Sequence, residues 1–427
     1  MKIFKFGGAS IKDADSVRNV ASILNKYIQE PLVVVVSAMG KMTNAFETLT
    51  EHAFNGNTGH MEKQFGFIRS FHLDILHSLF PDPRHKAFTR VDLLFQEIDS
   101  LIKSNDKRGF DFYYDRIVSF GELLSGNIVS SFLQESGNVH THCDARKLIR
   151  TNNSYRDALV LWPETSENIR NAFGLINENT PFILTEGFIG SDPEGNSTTL
   201  GREGSDYTAA IFAYALDAEE VVIWKDVPGL LNADPQILSE TIKIDRICYS
   251  DAIELAYYGA KIIHPKTIKP LQNKKIPLII KSFSEPELPG SVISDNDEAY
   301  QQVPSFIFKF NQTLISITPR DFSFINEENL FGIFGIFSQF RVRINLMQNS
   351  AISFSVCIDG ENSGFNSLIE ALQHDYKVKY NQHLELITIR NYDQDCIEKV
   401  VNNRLILLEQ RSRATVQLLV ESGSSNS

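Results

Sequence analysis

The apolar positions of this chain fall into two regimes. In the first two-thirds they form short continuous runs: Ile3-Phe4, Leu32-Val33-Val34-Val35-Val36, Pro181-Phe182-Ile183-Leu184, Val221-Val222-Ile223-Trp224 and Ile276-Pro277-Leu278-Ile279-Ile280. Runs without polar alternation, rich in β-branched residues, predict strands buried on both faces. Between them the apolar residues recur at helical spacing near 60–80, 86–104, 120–134, 205–216 and 250–260. A helix also follows the first run, with Val17, Val20, Ala21, Leu24 and Ile28 on one face and Asp13 or Asp15 as its cap. The stretch 205–216 is apolar nearly all round, which predicts a buried helix. Strands alternating with helices predict an α/β domain, a mostly parallel sheet with helices on both faces.

The second regime begins after a polar break, Ser294-Asp295-Asn296-Asp297-Glu298, read as a linker. Thr313–Thr318 reads as a strand, and Leu330, Ile333, Phe334 and Phe337 form one helix face. Val342–Met347 and Ile352–Ile358 read as two strands, and Phe365, Leu368, Ile369 and Leu372 as a second helix face. The order β-α-β-β-α-β predicts a ferredoxin-like module. A shorter piece follows: strand 384–390, helix 393–409, strand 414–420. The expected domains are therefore 1–295, 305–383 and a shortened module at 384–421, with a small polar tail at 422–427 expected to be disordered.

Composition narrows the function. A net charge of −12 over 427 residues argues against a nucleic-acid-binding surface, and it requires any anion site to concentrate positive charge locally. The four cysteines are scattered, with no CxxC pair, which suits reduced thiols rather than a disulfide or zinc framework. The longest nearly apolar run, Leu32–Met39, is too short to span a bilayer, and no charged-then-apolar signal is read before the first strand. A cytoplasmic protein with no membrane partner is expected. His140-Thr141-His142-Cys143-Asp144 could place two imidazoles on one strand face, but no third ligand is near, and an edge-strand polar face is the favoured reading. His264-Pro265 reads as a loop turn.

Three segments carry chemistry. Lys5-Phe6-Gly7-Gly8-Ala9-Ser10 reads as strand, glycine turn, helix, with a lysine near the strand end. Glycine turns let backbone N–H groups approach an anion, and a helix N-terminus adds partial positive charge. The segment is neither a Walker loop nor a Rossmann fingerprint. Thr198-Thr199-Leu200-Gly201-Arg202-Glu203-Gly204-Ser205-Asp206-Tyr207-Thr208 opens the buried helix. It gathers backbone donors, a guanidinium, a hydroxyl and a carboxylate, and Ser205 or Asp206 could serve as the cap. Trp224–Pro235 leaves the carboxyl end of a strand, where open α/β sheets bind ligands.

These segments resemble the signatures of the aspartate kinases, of the amino acid kinase family. So do Val36–Asn44, Ser119–Ser125 and Tyr258–Pro265, and all six lie in family order over residues 1 to about 290. The C-terminal modules resemble the ACT regulatory domains of that family. The resemblance implies transfer of a phosphoryl group from ATP, with Mg²⁺, to the β-carboxylate of L-aspartate. That is the entry step toward lysine, threonine and methionine, here in a monofunctional enzyme. A carboxylate is already a nucleophile at pH 7, so positioning and electrostatics should dominate. The resemblance places Lys5 on the ATP phosphates with Asp206 orienting it, and both as catalytic. Phe6, Gly7, Gly8, Lys225, Asp226, Leu231, Gln236, Lys261 and Ile262 would line the nucleotide site. Thr43 and Arg202 would hold the carboxylate ends of aspartate, with Ser205 beside them, and Glu122 would face its ammonium.

The chain departs from the commoner family pattern at Ala9, Glu203, Leu231 and Gln236. Glu203 sets a negative charge beside anionic substrates. In Ile344–Ser350, which matches the family's effector strand, Asn345 stands where lysine-sensitive relatives carry Asp. Asn345, Gln348, Asn349 and Ser350 are the expected effector residues, for lysine or threonine, and the ACT modules are expected to pair into a homodimer or larger homo-oligomer. Two other readings stay open: a family relative acting on glutamate, acetylglutamate or UMP, and a catalytically silent amino-acid-binding regulator. The contexts of Thr43, Glu122 and Arg202 disfavour the former.

Overall fold

The computed structural model describes the chain except residues 28–29, 105–107, 175–181, 261–262, 296–301, 322, 361–363 and 423–427. It forms two compact units. One takes in Met1–Leu230, Lys243–Ile253 and Ile262–Gln301, the other Leu231–Ile242, Glu254–Lys261 and Gln302–Ser427.

The first unit is built on an eight-stranded sheet. Its order is Arg246–Cys248, Ser291–Ser294, Leu278–Ser282, Glu220–Lys225, Lys2–Phe6, Leu32–Val36, Phe182–Glu186 and Thr141–Cys143. All neighbours run parallel except Leu278–Ser282 against Ser291–Ser294. Lys2–Phe6 lies in the middle, paired on both sides, which is why a run of so few residues is stable as a strand. Leu32–Val36 is buried at every position, as its β-branched run predicts. The core beneath packs Val17, Val20 and Leu24 of one helix against Phe46, Leu76, Val91 and Ile128 of others.

Helices Thr58–Leu79, Lys86–Lys103, Phe120–Glu135, Gly204–Leu216 and Tyr249–Tyr258 fall close to their expected ranges. The first helix is Ala14–Leu24, capped by Asp13, whose side chain accepts from the Ser16 N–H at 2.8 Å. Ile28, expected at its end, lies outside the described residues. Between strand and helix a four-residue 3₁₀ turn, Gly8–Ile11, intervenes, so the glycine turn does not open the α-helix directly. His264-Pro265 is not a loop turn. It opens the helix Pro265–Lys274, because the His264 side chain accepts from the Lys266 N–H and proline fits the first helical turn.

In the second unit a six-stranded antiparallel sheet has the order Ile344–Asn349, Phe354–Asp359, Ser305–Pro319, Tyr376–Arg390, Thr415–Glu421, Ile406–Arg411. The expected strand 313–318 is the second half of the 15-residue strand Ser305–Pro319. Its first half pairs with the second half of Tyr376–Arg390, and its second half with the first, across an irregularity between Lys309 and Leu314. The expected helix 393–409 is the shorter Gln394–Val401, followed by the strand Ile406–Arg411. Asp393 caps that helix, and Asn402 ends it in the left-handed conformation. One core lies under Ile315, Ile317, Val356 and Leu368. A second lies under Phe306, Ile387, Ile389, Val416 and Leu418, and Ala233 joins it from the segment Leu231–Ile242.

Candidate active site

The carboxyl ends of Lys2–Phe6, Leu32–Val36 and Glu220–Lys225 open into a cleft of about 680 Å³ in the first unit. Lys5, 7 % exposed, extends from the central strand to the buried Asp206, with Nζ 2.6 Å from Oδ1. The contact is a buried, charge-assisted ion pair. Lys225, from the adjacent strand, places Nζ 3.8 Å from the other Asp206 oxygen. Burial alone would raise the Asp206 carboxyl, but Lys5 and Lys225 outweigh it and hold the group below the ordinary carboxylate range. Asp206 sits in the first turn of the helix Gly204–Leu216 and caps nothing; Glu203 holds the cap position. Neither expected cap, Ser205 or Asp206, takes that role, so both side chains stay with the cleft they line.

The glycine turn closes the other wall. A side chain at Gly8 would begin 2.6 Å from the Gly40 carbonyl and 2.8 Å from the Ala38 carbonyl, so only glycine fits. Gly40 N–H in turn donates to the Gly8 carbonyl at 3.0 Å, joining the turn to the loop before helix Met42–Phe54. Thr43 stands in the first turn of that helix and lines the cleft. Gly7 lines it as well. Phe6 does not: its ring stacks on Trp224 at 5.9 Å inside the core.

Glu122 is buried in helix Phe120–Glu135 beside the cleft. One carboxylate oxygen accepts from the Ala38 N–H at 3.3 Å, and among the described residues the other has no partner. Burial pushes its carboxyl up to about 8, with the Glu186 charge adding to the rise and the hydrogen bonds and Lys5 opposing it. An acid group held this way, with one oxygen unsatisfied, is set to receive a cation.

Arg202 is exposed on the cleft, and Glu203 beside it has φ +55. The Glu203 carboxylate accepts from the His264 backbone N–H at 2.7 Å. Its charge is therefore tied to the start of helix Pro265–Lys274, where the exposed helix N–H groups favour an anion. Lys225 and Asp226 line the cleft as expected. Leu231 and Gln236 fall in the second unit and are not among the lining residues, while Lys261 and Ile262 lie outside the described residues. Tyr114, Glu47, Arg156 and Phe188 line the cleft without having been foreseen. They sit on helices or turns outside the glycine-rich segments, where nothing in the local spacing marks them.

The two histidines of the edge strand region, one buried and one half-buried, both have hydrogen-bond partners within the fold. His140 is buried, bonded to Ser130 Oγ at 2.9 Å and to the Asn138 carbonyl, and His142 meets Glu186 at 2.6 Å. Among the described residues no cluster of three His, Cys, Asp or Glu could hold a metal ion. No helix among them is long and apolar enough to cross a membrane.

In the second unit Asn345 is held by its own chain. Its Oδ1 accepts from Lys309 Nζ at 2.9 Å, and its Nδ2 donates to Gln312 and Asp359, each at 2.9 Å. Gln348, Asn349 and Ser350 are exposed.

A lysine–aspartate pair at a strand end, a glycine turn and a buried carboxylate thus line one cleft of an α/β unit, and comparison with known proteins gives the class of that unit. Residues 1–282 match the model of the amino acid kinase family, and the chain belongs to that family. It is 29 % identical over 412 residues to the lysine-sensitive aspartokinase 3 of Escherichia coli, covering 92 % of this chain and 87 % of that one. The solved structure of E. coli aspartokinase III with aspartate and ADP superposes with a TM-score of 0.83 at 27 % identity, over 99 % of this chain and 96 % of the other. The same enzyme with lysine and aspartate superposes at 0.81 with the same identity and coverage.

Proposed function

We propose that the chain is an aspartate kinase, transferring the γ-phosphoryl group of ATP to the β-carboxylate of L-aspartate. The observation that carries this reading is the Lys5–Asp206 pair opening on the same cleft as the half-satisfied Glu122. A β-carboxylate oxygen attacks the γ-phosphorus, the bond to the β,γ-bridging oxygen breaks, and ADP leaves with that electron pair. No proton moves, so the cleft needs no general base. Lys5 meets the negative charge that spreads over the transferring group, and Asp206 keeps its ammonium aimed. Gly7 and Gly8 allow the phosphates to approach the backbone. Glu122 receives the substrate ammonium, while Arg202, Thr43 and Ser205 take its carboxylate ends. ATP would bring Mg²⁺ with it, which would offset the phosphate charge, and of the lining carboxylates Asp206 and Asp226 would be the ones to add to its shell of phosphate oxygens and water.

Regulation by an amino acid such as lysine or threonine, at the strand bearing Asn345, and pairing of C-terminal units into a homodimer belong to the same reading. So does a cytoplasmic setting, supported by four free cysteines. The test is ADP release with L-aspartate, ATP and Mg²⁺, with the acyl phosphate trapped as a hydroxamate, against L-glutamate as the competing acceptor. Turnover on glutamate alone, or nucleotide binding without transfer, sinks the proposal. Repeating the assay with lysine, threonine and both tests the regulation.

A further inference from the structure

The cleft contains a guanidinium that none of the six signature segments supplies. Arg156 lies on an exposed turn with φ +70, a left-handed conformation that costs a residue with a side chain about 1–2 kcal/mol. The turn is held there by Asp115. This fully buried carboxylate accepts from the Arg156 N–H at 3.1 and 3.0 Å, and from the N–H and hydroxyl of Thr199, both at 2.7 Å. One carboxylate thus fastens Arg156 to the strand that leads into Arg202. The two segments touch: a side chain at Gly201 would begin 3.3 Å from the Arg156 carbonyl oxygen.

The side chain is placed as deliberately as the backbone. Its guanidinium lies 4.5 Å from the ring centre of Tyr114, whose hydroxyl bonds Glu47, and all three residues line the cleft. A guanidinium over an aromatic face is attracted to it, and with the Phe110 ring centre 5.7 Å away this limits where the planar fork can lie. The carboxylate it touches, Asp111, is exposed and 3.5 Å away, so that pairing is weak.

L-Aspartate brings two carboxylates. On the aspartate reading the β-group lies toward Lys5, which leaves the α-carboxylate for the guanidinium of Arg202, another lining residue of the cleft. We infer that Arg156 is a second guanidinium for the substrate α-carboxylate, acting beside Arg202 and setting selectivity for a free α-acid. The inference rests on the aspartate reading above.

The test compares L-aspartate with its α-carboxamide, which keeps the ammonium and the β-carboxylate. Arg156→Gly retains the N–H that Asp115 holds and relieves the left-handed strain, so the fold should survive. The expected result is an about tenfold rise in KM for aspartate, equivalent to about 1.4 kcal/mol. KM for ATP stays put, and the preference for aspartate over the α-amide falls by a similar factor. Arg156→Lys should recover part of both. An unchanged KM and preference, or equal rises in KM for aspartate and ATP, overturn the inference while an active wild type leaves the aspartate reading intact. A wild type inert toward aspartate overturns both.

Discussion

Lys5 and Asp206 neutralise one another before any substrate arrives, and replacing either exposes what the other is for. Lys5→Met should lower kcat by about 10²–10³-fold, measured by hydroxamate formation, since a preorganised positive group at the transferring phosphoryl is worth that much. Glu122 makes the site sensitive to pH. Its carboxyl, pushed up to about 8 by burial, must ionise to meet an ammonium. Apparent affinity for aspartate should therefore rise up to about tenfold per pH unit as pH climbs toward 8, then level off, in initial-rate measurements across pH. The stability effect has the opposite sign. The folded state holds this proton more tightly than the unfolded one, so the group's contribution is lost as pH rises from 4.5 through 8. Asp115, pushed up by burial to about 7, adds to the same slope. Glu122→Gln should raise the apo melting temperature at pH 8.5 by about a few degrees and abolish stabilisation by aspartate, both read from thermal unfolding. Glu203 illustrates what a residue type alone conceals: its charge threatens the cleft on paper, and one hydrogen bond to His264 accounts for it.

At the level of elements, the strand–turn–helix that carries Lys5 leaves no room for change. Gly8→Ala would drive a methyl group into two carbonyl oxygens, so it should cost about 1–3 kcal/mol in urea unfolding and weaken ATP binding more than aspartate binding. This element was legible because an apolar run, a glycine pair and a capped amphipathic helix each signal the same thing. The helix Gly204–Leu216 was legible for a comparable reason: burial on all sides leaves a long apolar stretch. Helix Phe110–Val118 was not. It mixes aromatic and charged residues because the fully buried Asp115 bonds the backbone of Arg156 and Thr199 and Tyr114 reaches from the core to the cleft, and that breaks the apolar period. Arg156 could not be read at all, since its role depends on a backbone conformation and a buried carboxylate 41 residues away. The strand Ser305–Pro319 was seen only by half, because its first half covers a different core from its second.

At the level of the whole molecule, the C-terminal sheet is continuous across the irregularity between Lys309 and Leu314. Ser305–Pro319 and Tyr376–Arg390 run the length of it, each pairing with the other over both halves. Ile387, fully buried at one end, should therefore support the other. Ile387→Ala should cost about 2–5 kcal/mol and lower hydrogen-exchange protection in Phe354–Asp359 as well as in Thr415–Glu421. Loss confined to the nearer strands would mean that the halves melt separately. A shared pair of rails also restricts how such a protein can diversify. A lineage cannot discard one half by a simple deletion, because the cut strands would bare the ladder of the half it kept. The unit must be lost entire, or else be altered in place by single side-chain changes that leave the scaffold standing.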